Sequence, residues 1–238
     1  KFNLSYSNRS DEYHGLSIAG PNSRKVLEKI VRDDVSNEKF KFRDSRRMFV
    51  GGVPAIINRI SFTGELGYEI YVAPHYQLKL YEELIEAGKE FNIKPFGGRA
   101  LMSMRLEKNW GAWTLDYRPD FTAKETGLDA FINWDKEFIG KESAQKENSS
   151  NKLVPLIVET NEIDVTNNEA VLNGDQSIGY VTSGGFAHFV NKSVAFTFVD
   201  QKNIKSENKI QVEINGDLFN CSIIKEPLYD PSGQKMRS

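Results

Sequence analysis

Apolar and polar positions alternate at Phe2-Asn3-Leu4-Ser5-Tyr6, and a period of two predicts a strand there. His14 to Gly20 alternates again, predicting a strand that stops at Gly20-Pro21. Pro21 then opens a helix that carries Val26, Leu27, Ile30 and Val31 on one stripe. Met48 to Val50 and Ala55 to Ile60 read as two strands joined by a hairpin turn at Gly51-Gly52-Val53-Pro54. The turn-rich Thr63 to Gly67 leads into a strand over Tyr68 to Val72. Pro74 opens a helix whose stripe is Leu78, Tyr81, Leu84 and Ile85 and which closes at Gly88.

A third helix is expected from about Arg99 to Asn109, followed by a segment from Trp110 to Asp135 that mixes aromatics, prolines and charges without clean periodicity. Long irregular segments in compact domains usually serve a site. The run Gln145 to Lys152 has no apolar residue and reads as a linker, dividing the chain into 1–146 and 147–238. Beyond it come six short strands: Leu153–Glu159, Ala170–Leu172, Ser177–Thr182, Ser193–Val199, Lys209–Ile214 and Phe219–Ile224. With Asn-Gly-Asp, Ser-Gly-Gly and Asn-Gly-Asp as turns, they predict a small antiparallel barrel or sandwich.

Charge and cysteine content narrow the chemistry. With 31 Lys and Arg against 33 Asp and Glu, no global field favours nucleic acid or an anionic membrane surface. The single cysteine, Cys221, excludes an internal disulfide and a multi-thiolate metal site, and its strand setting predicts a buried apolar thiol. Three scattered histidines and no paired acidic motif give no metal site. No apolar run is long enough to span a membrane, and a reducing compartment, cytoplasmic or an organellar matrix, is expected. Because the chain opens on a strand pattern at Lys1 rather than on methionine, the native polypeptide is expected to continue upstream.

Several stretches together resemble one family. Thr63-Gly64-Glu65-Leu66-Gly67-Tyr68-Glu69-Ile70 is similar to the T-G-E-x-G-Y/F-E motif of glycine-cleavage T-proteins, and Met104-Arg105-Leu106-Glu107-Lys108 to their L-R-L-E helix. Leu115 to Pro119, Glu125 to Asp129 and Asp135 to Glu142 follow the family in order and spacing. The Arg-Pro variant, with Val181 to Phe186, Lys192 to Ala195 and Pro227 to Pro231, resembles the folate half of dimethylglycine and sarcosine dehydrogenases. This resemblance implies an α+β, folate-binding T-protein-like body followed by a small C-terminal antiparallel β-barrel.

The family uses the glutamate at the position of Glu69 to hold a pterin, whose adjacent N–H donors a carboxylate accepts in pairs. Phe62 stands where the family shows a tyrosine: it keeps an apolar ring and lacks the hydroxyl. Trp113 falls at the family's aromatic position after the helix, where an indole would stack on a pterin or aminobenzoyl ring. Tyr68, Gly185 and Phe186 complete the cofactor-binding candidates, with Gly184, Gly185 and Phe186 expected on a barrel loop. Arg105 is expected in a structural salt bridge, and Leu101 replaces the T-protein's tail-binding arginine. The family's aspartate would lie upstream of Lys1, so no catalytic residue is nominated.

The implied activity is tetrahydrofolate-dependent one-carbon transfer, in which an iminium derived from an N-methyl amine is captured by the folate. FAD is implied only in a fused or partner flavin dehydrogenase domain or subunit, not in this chain. Three other readings stay open: a non-catalytic folate-binding relative, a demethylase on the same scaffold, and a structural remnant of a larger enzyme.

Overall fold

The computed structural model describes residues 3–160, 162–204 and 209–238. It divides into two compact units, Lys1–Gly97 with Ser232–Ser238, and Gly98–Pro231; the polar run at 145–152 lies inside the second. Phe2 of the expected opening strand is outside the described residues, and 3–6 form no strand. Alternation alone does not make a strand where no neighbour supplies the ladder of hydrogen bonds.

The first unit is a four-stranded antiparallel sheet with helices on one face. Its strands are β1 (His14–Ala19), β2 (Ser45–Val50), β3 (Val53–Asn58) and β4 (Gly67–Val72), in the order β1-β4-β3-β2. Helices α1 (Ser23–Ile30) and α2 (Gln77–Gly88) supply Val26, Leu27, Leu80, Leu84 and Ala87 to a core shared with Ile18, Ile57, Tyr68 and Ile70. Fully burying one such aliphatic side chain contributes about 1.5–3 kcal/mol. The α2 stripe is one step out of phase with the sequence expectation, since Leu78 is 68% and Tyr81 42% exposed. A helix with apolar residues on two faces leaves its phase to tertiary packing.

The β2–β3 hairpin is tighter than expected. Gly51 and Gly52, both with positive φ (56° and 79°), make a two-residue turn, and Pro54 belongs to β3 opposite Phe49. Proline is tolerated there because β4 pairs with β3 only from Ala55 onward, so no ladder donor is lost.

The second unit starts with α3 (Gly98–Glu107), runs through the irregular segment to a short α4 (Lys141–Lys146), and ends in a closed barrel. The barrel strands are β5 (Asn151–Val158), β6 (Ala170–Asn173), β7 (Gln176–Ala187), β8 (Lys192–Asp200), β9 (Ile210–Ile214) and β10 (Asp217–Ile223). They close in the order β10-β5-β8-β7-β6-β9 around Leu156, Val171, Val181, Val212 and Ile214. Asn215 (φ 54°) and Gly216 (φ 92°) form the two-residue turn that the Asn-Gly pair predicts.

The expected Ser-Gly-Gly turn is not a turn. Ser183 to Phe186 continue β7 and pair with Phe196 to Ser193 of β8. The glycine is there for clearance: a Cβ on Gly184 would stand 2.7 Å from the Val165 carbonyl oxygen. Cys221 packs against the barrel core, and burial pushes its thiol up to about 12.

Candidate functional site

The turn before β4 is shaped by its motif. Gly64 has φ 86°, its N–H donates to Ser61 Oγ at 3.0 Å, and the Glu65 N–H donates to Thr63 Oγ1 at 3.2 Å. Leu66 then offers its carbonyl to the Gly20 N–H at 2.8 Å and to Ser23 Oγ at 3.0 Å. A Cβ on Gly67 would meet the Ile60 and Ile18 carbonyl oxygens at 3.2 and 3.3 Å, so chain crowding requires glycine at this point. The motif thus sets where β4 begins and which side chains it turns to each face.

The alternation on β4 splits the candidates. Tyr68 faces inward, buried and stacked on Phe40 with ring centroids 5.8 Å apart. Glu69 and Tyr71 face the opposite side and are half-buried. Cross-strand pairing places Ser17, Glu69, Asn58 and Ser45 in one row across the four strands, and Gly15, Tyr71, Ile56 and Arg47 in the next. Directly opposed side chains share a face, so one side of the sheet carries these polar side chains with Ile56 among them and the other is core.

On that polar face Tyr71 donates its hydroxyl to Glu69 Oε2 at 2.6 Å. This bond to the carboxylate, with partial burial and the negative charge, holds the phenol up at about 12, so the tyrosine remains a donor through the neutral range. Among the described residues no cation pairs with Glu69, Tyr71 is its sole side-chain donor, and the Asn58 amide has no partner. The result is a half-buried carboxylate with open lone pairs beside an open amide. Phe62 lies in the turn, half-buried.

The remaining candidates belong to the second unit. Trp113 is 77% exposed and stands edge-on to Tyr117, with centroids 5.6 Å apart, in a turn where Thr114 has φ 69°. Gly111 is needed beneath it, because a Cβ would fall 2.6 Å from the Tyr117 ring. Gly185 and Phe186 lie in β7 rather than on the expected loop, and the Phe186 carbonyl accepts from Ser103 Oγ at 2.6 Å. The Phe186 ring meets His188 edge-on at 5.0 Å.

The R-L-E-K stretch is structural throughout. Arg105 is fully buried, donates to Asp116 Oδ2 at 2.8 Å and to the Trp110 carbonyl at 3.1 Å, and lies over the Phe196 ring. Asp116, equally buried, also accepts from the Ala112 N–H at 2.8 Å, from Ser183 Oγ at 2.7 Å and from Thr182 Oγ1. Glu107 accepts from the Phe189 N–H at 2.6 Å, and Lys108 pairs with Asp230 at 3.3 Å. Sequence reasoning missed Asp116, Asn58 and Tyr71. Tyr71 was detectable, since a residue two places after Glu69 on a strand shares its face.

Among the described residues no group of three or more His, Cys, Asp or Glu side chains is arranged to hold a metal ion, and no helix is long and apolar enough to cross a membrane.

Comparison with known proteins adds to this geometry. Residues 2–136 match the model of the GCVT N-terminal domain, and 151–230 match the glycine cleavage T-protein C-terminal barrel domain. The chain is similar to mitochondrial dimethylglycine dehydrogenase of Mus musculus, 34% identical over 95% of this chain and 27% of that protein. It is also similar to the aminomethyltransferase of Thermoanaerobacter pseudethanolicus, 31% identical over 98% of this chain and 64% of that one. The chain therefore spans about a quarter of the first relative's length and under two thirds of the second's. The crystal structure of glycine cleavage system aminomethyltransferase T from Bartonella henselae shares the fold, with TM-score 0.78 and 22% identity over 92% of this chain and 60% of that one.

Proposed function

We infer, because the chain belongs to the glycine cleavage T-protein family, that it binds a reduced folate and takes part in one-carbon transfer to it. The observation that carries this reading is Glu69: a half-buried carboxylate on a sheet face, held by one neutral donor and neutralised by no cation among the described residues. The donor set fits a pterin edge. Adjacent N–H groups call for a carboxylate, and the neighbouring ring carbonyl calls for a donor such as the Asn58 amide, one strand across in register.

Each candidate then has a task. Glu69 anchors and orients the pterin, and Phe62 supplies an apolar wall. Tyr68 fixes β4 from the core side. Trp113 offers an indole face to an aromatic ring, and Gly185 and Phe186 shape the surface of β7. Tetrahydrofolate supplies the two N–H groups that capture the carbon: a dialkyl iminium and the folate give methylene-folate, the secondary amine and one proton. Orientation and exclusion of water are the protein's share, because an iminium carbon exposed to water is hydrolysed. The similarity to dimethylglycine dehydrogenase supports an N-methyl amine as the carbon's source, with flavin chemistry in another domain or subunit.

Calorimetric titration with tetrahydrofolate tests the reading. Hydrogen bonds to a charged group are worth about 1.5–3 kcal/mol, so Glu69→Gln is expected to weaken binding roughly ten- to hundredfold. Equal binding by both proteins would remove Glu69 as the anchor.

A further inference from the structure

Glu69 stands on an open sheet face, where a carboxylate side chain has several staggered rotamers and would lose that freedom on binding a planar ligand. The structure restrains it in advance. Tyr71, two residues along β4 and on the same face, donates its hydroxyl to Oε2 at 2.6 Å, and among the described residues nothing donates to Oε1. One oxygen is tied and the other is presented.

The tyrosine is itself held by a glycine. Gly15 on β1 pairs with Tyr71, and a Cβ there would stand 3.0 Å from Tyr71 Cε1 and 3.2 Å from Cδ1, so the ring lies across β1 in space that a side chain would fill. Gly15 has no positive φ, so its backbone conformation does not require glycine. The clearance for the ring is what the missing Cβ provides.

We propose that Tyr71, seated over Gly15, is a positioning residue that presents the Glu69 carboxylate to the pterin edge of the folate. This rests on the folate reading above. The hydroxyl donates to the ionised carboxylate and moves no proton of the ligand; its contribution is to reduce the orientations that Glu69 samples before binding.

The test is a double-mutant cycle on the full 238-residue chain, with tetrahydrofolate titrated calorimetrically into wild type, Tyr71→Phe, Glu69→Gln and the double variant, and melting temperature recorded for each. Tyr71→Phe keeps the ring and is expected to fold normally and bind about five- to tenfold more weakly. In the Glu69→Gln background the same change is expected to cost less than about twofold, because no carboxylate remains to be held. Gly15→Ala, which displaces the ring without touching the hydroxyl, is expected to reproduce the loss. An equal cost of Tyr71→Phe in both backgrounds, or no cost at all, overturns the positioning role and leaves Glu69 as anchor. Wild type that does not bind overturns the folate reading and this inference together, and Glu69→Gln that binds as well as wild type removes Glu69 as the anchor and this inference with it.

Discussion

The two acidic centres of the molecule, Glu69 in the first unit and Asp116 in the second, are built on opposite plans. Asp116 is fully buried and accepts from a guanidinium, a backbone N–H and two hydroxyls, so its bonding capacity is filled from within the protein. Glu69 is half-buried and has a single phenol. A carboxylate whose bonds are all made stabilises a fold, whereas one left open at a surface is available to a ligand. Both sit beside family motifs, so the motif alone does not separate them; the hydrogen bonds do.

The largest expected effect tests the Asp116 side of this contrast. Asp116→Ala strands the buried Arg105 charge, which should lower the free energy of unfolding by about 3–5 kcal/mol in thermal or denaturant melts. Glu69→Gln should shift the same melt by no more than about 0.5 kcal/mol while removing most of the folate affinity. Similar stability losses for the two variants would erase the distinction. Trp113→Ala sharpens it in a smaller way. A residue 77% exposed carries little stability, so the melt should hold in thermal and denaturant unfolding alike.

An effect confined to alkaline pH concerns Cys221, whose thiol burial raises from its ordinary 9.0 to about 12. A raised folded value means that the protonated thiol's contribution is complete below pH 9 and is lost as pH rises toward 12. Denaturant melts should therefore show wild type losing more stability than Cys221→Ala between those limits. At neutral pH the folded chain should alkylate slowly with iodoacetamide.

Much of the architecture was legible because local chemistry agreed with the fold. Asn215-Gly216 specified its turn, the stripe at Val26 and Leu27 specified the inner face of α1, and the alternating runs after Leu153 specified barrel strands. What escaped depends on distant neighbours. Ser183-Gly184-Gly185 resembled a turn because the reason for glycine, the Val165 carbonyl, is remote in sequence. The phase of α2 was misread because Leu78 and Tyr81 are apolar yet exposed. At the candidate site Glu69 was visible through its motif, while Asn58 and Gly15 acquire meaning only from strand register.

Closure of the barrel also decides where each unit can accept additional chain. Closed into a ring, the six barrel strands leave no edge strand, while the sheet of the first unit ends on β1 and β2. A polypeptide that adds as a strand pairs with a sheet edge, which the first unit has and the barrel lacks. On the β2 side Arg46 is paired with Asp44, and the exposed charge of Arg47 discourages indiscriminate, self-matching strand addition.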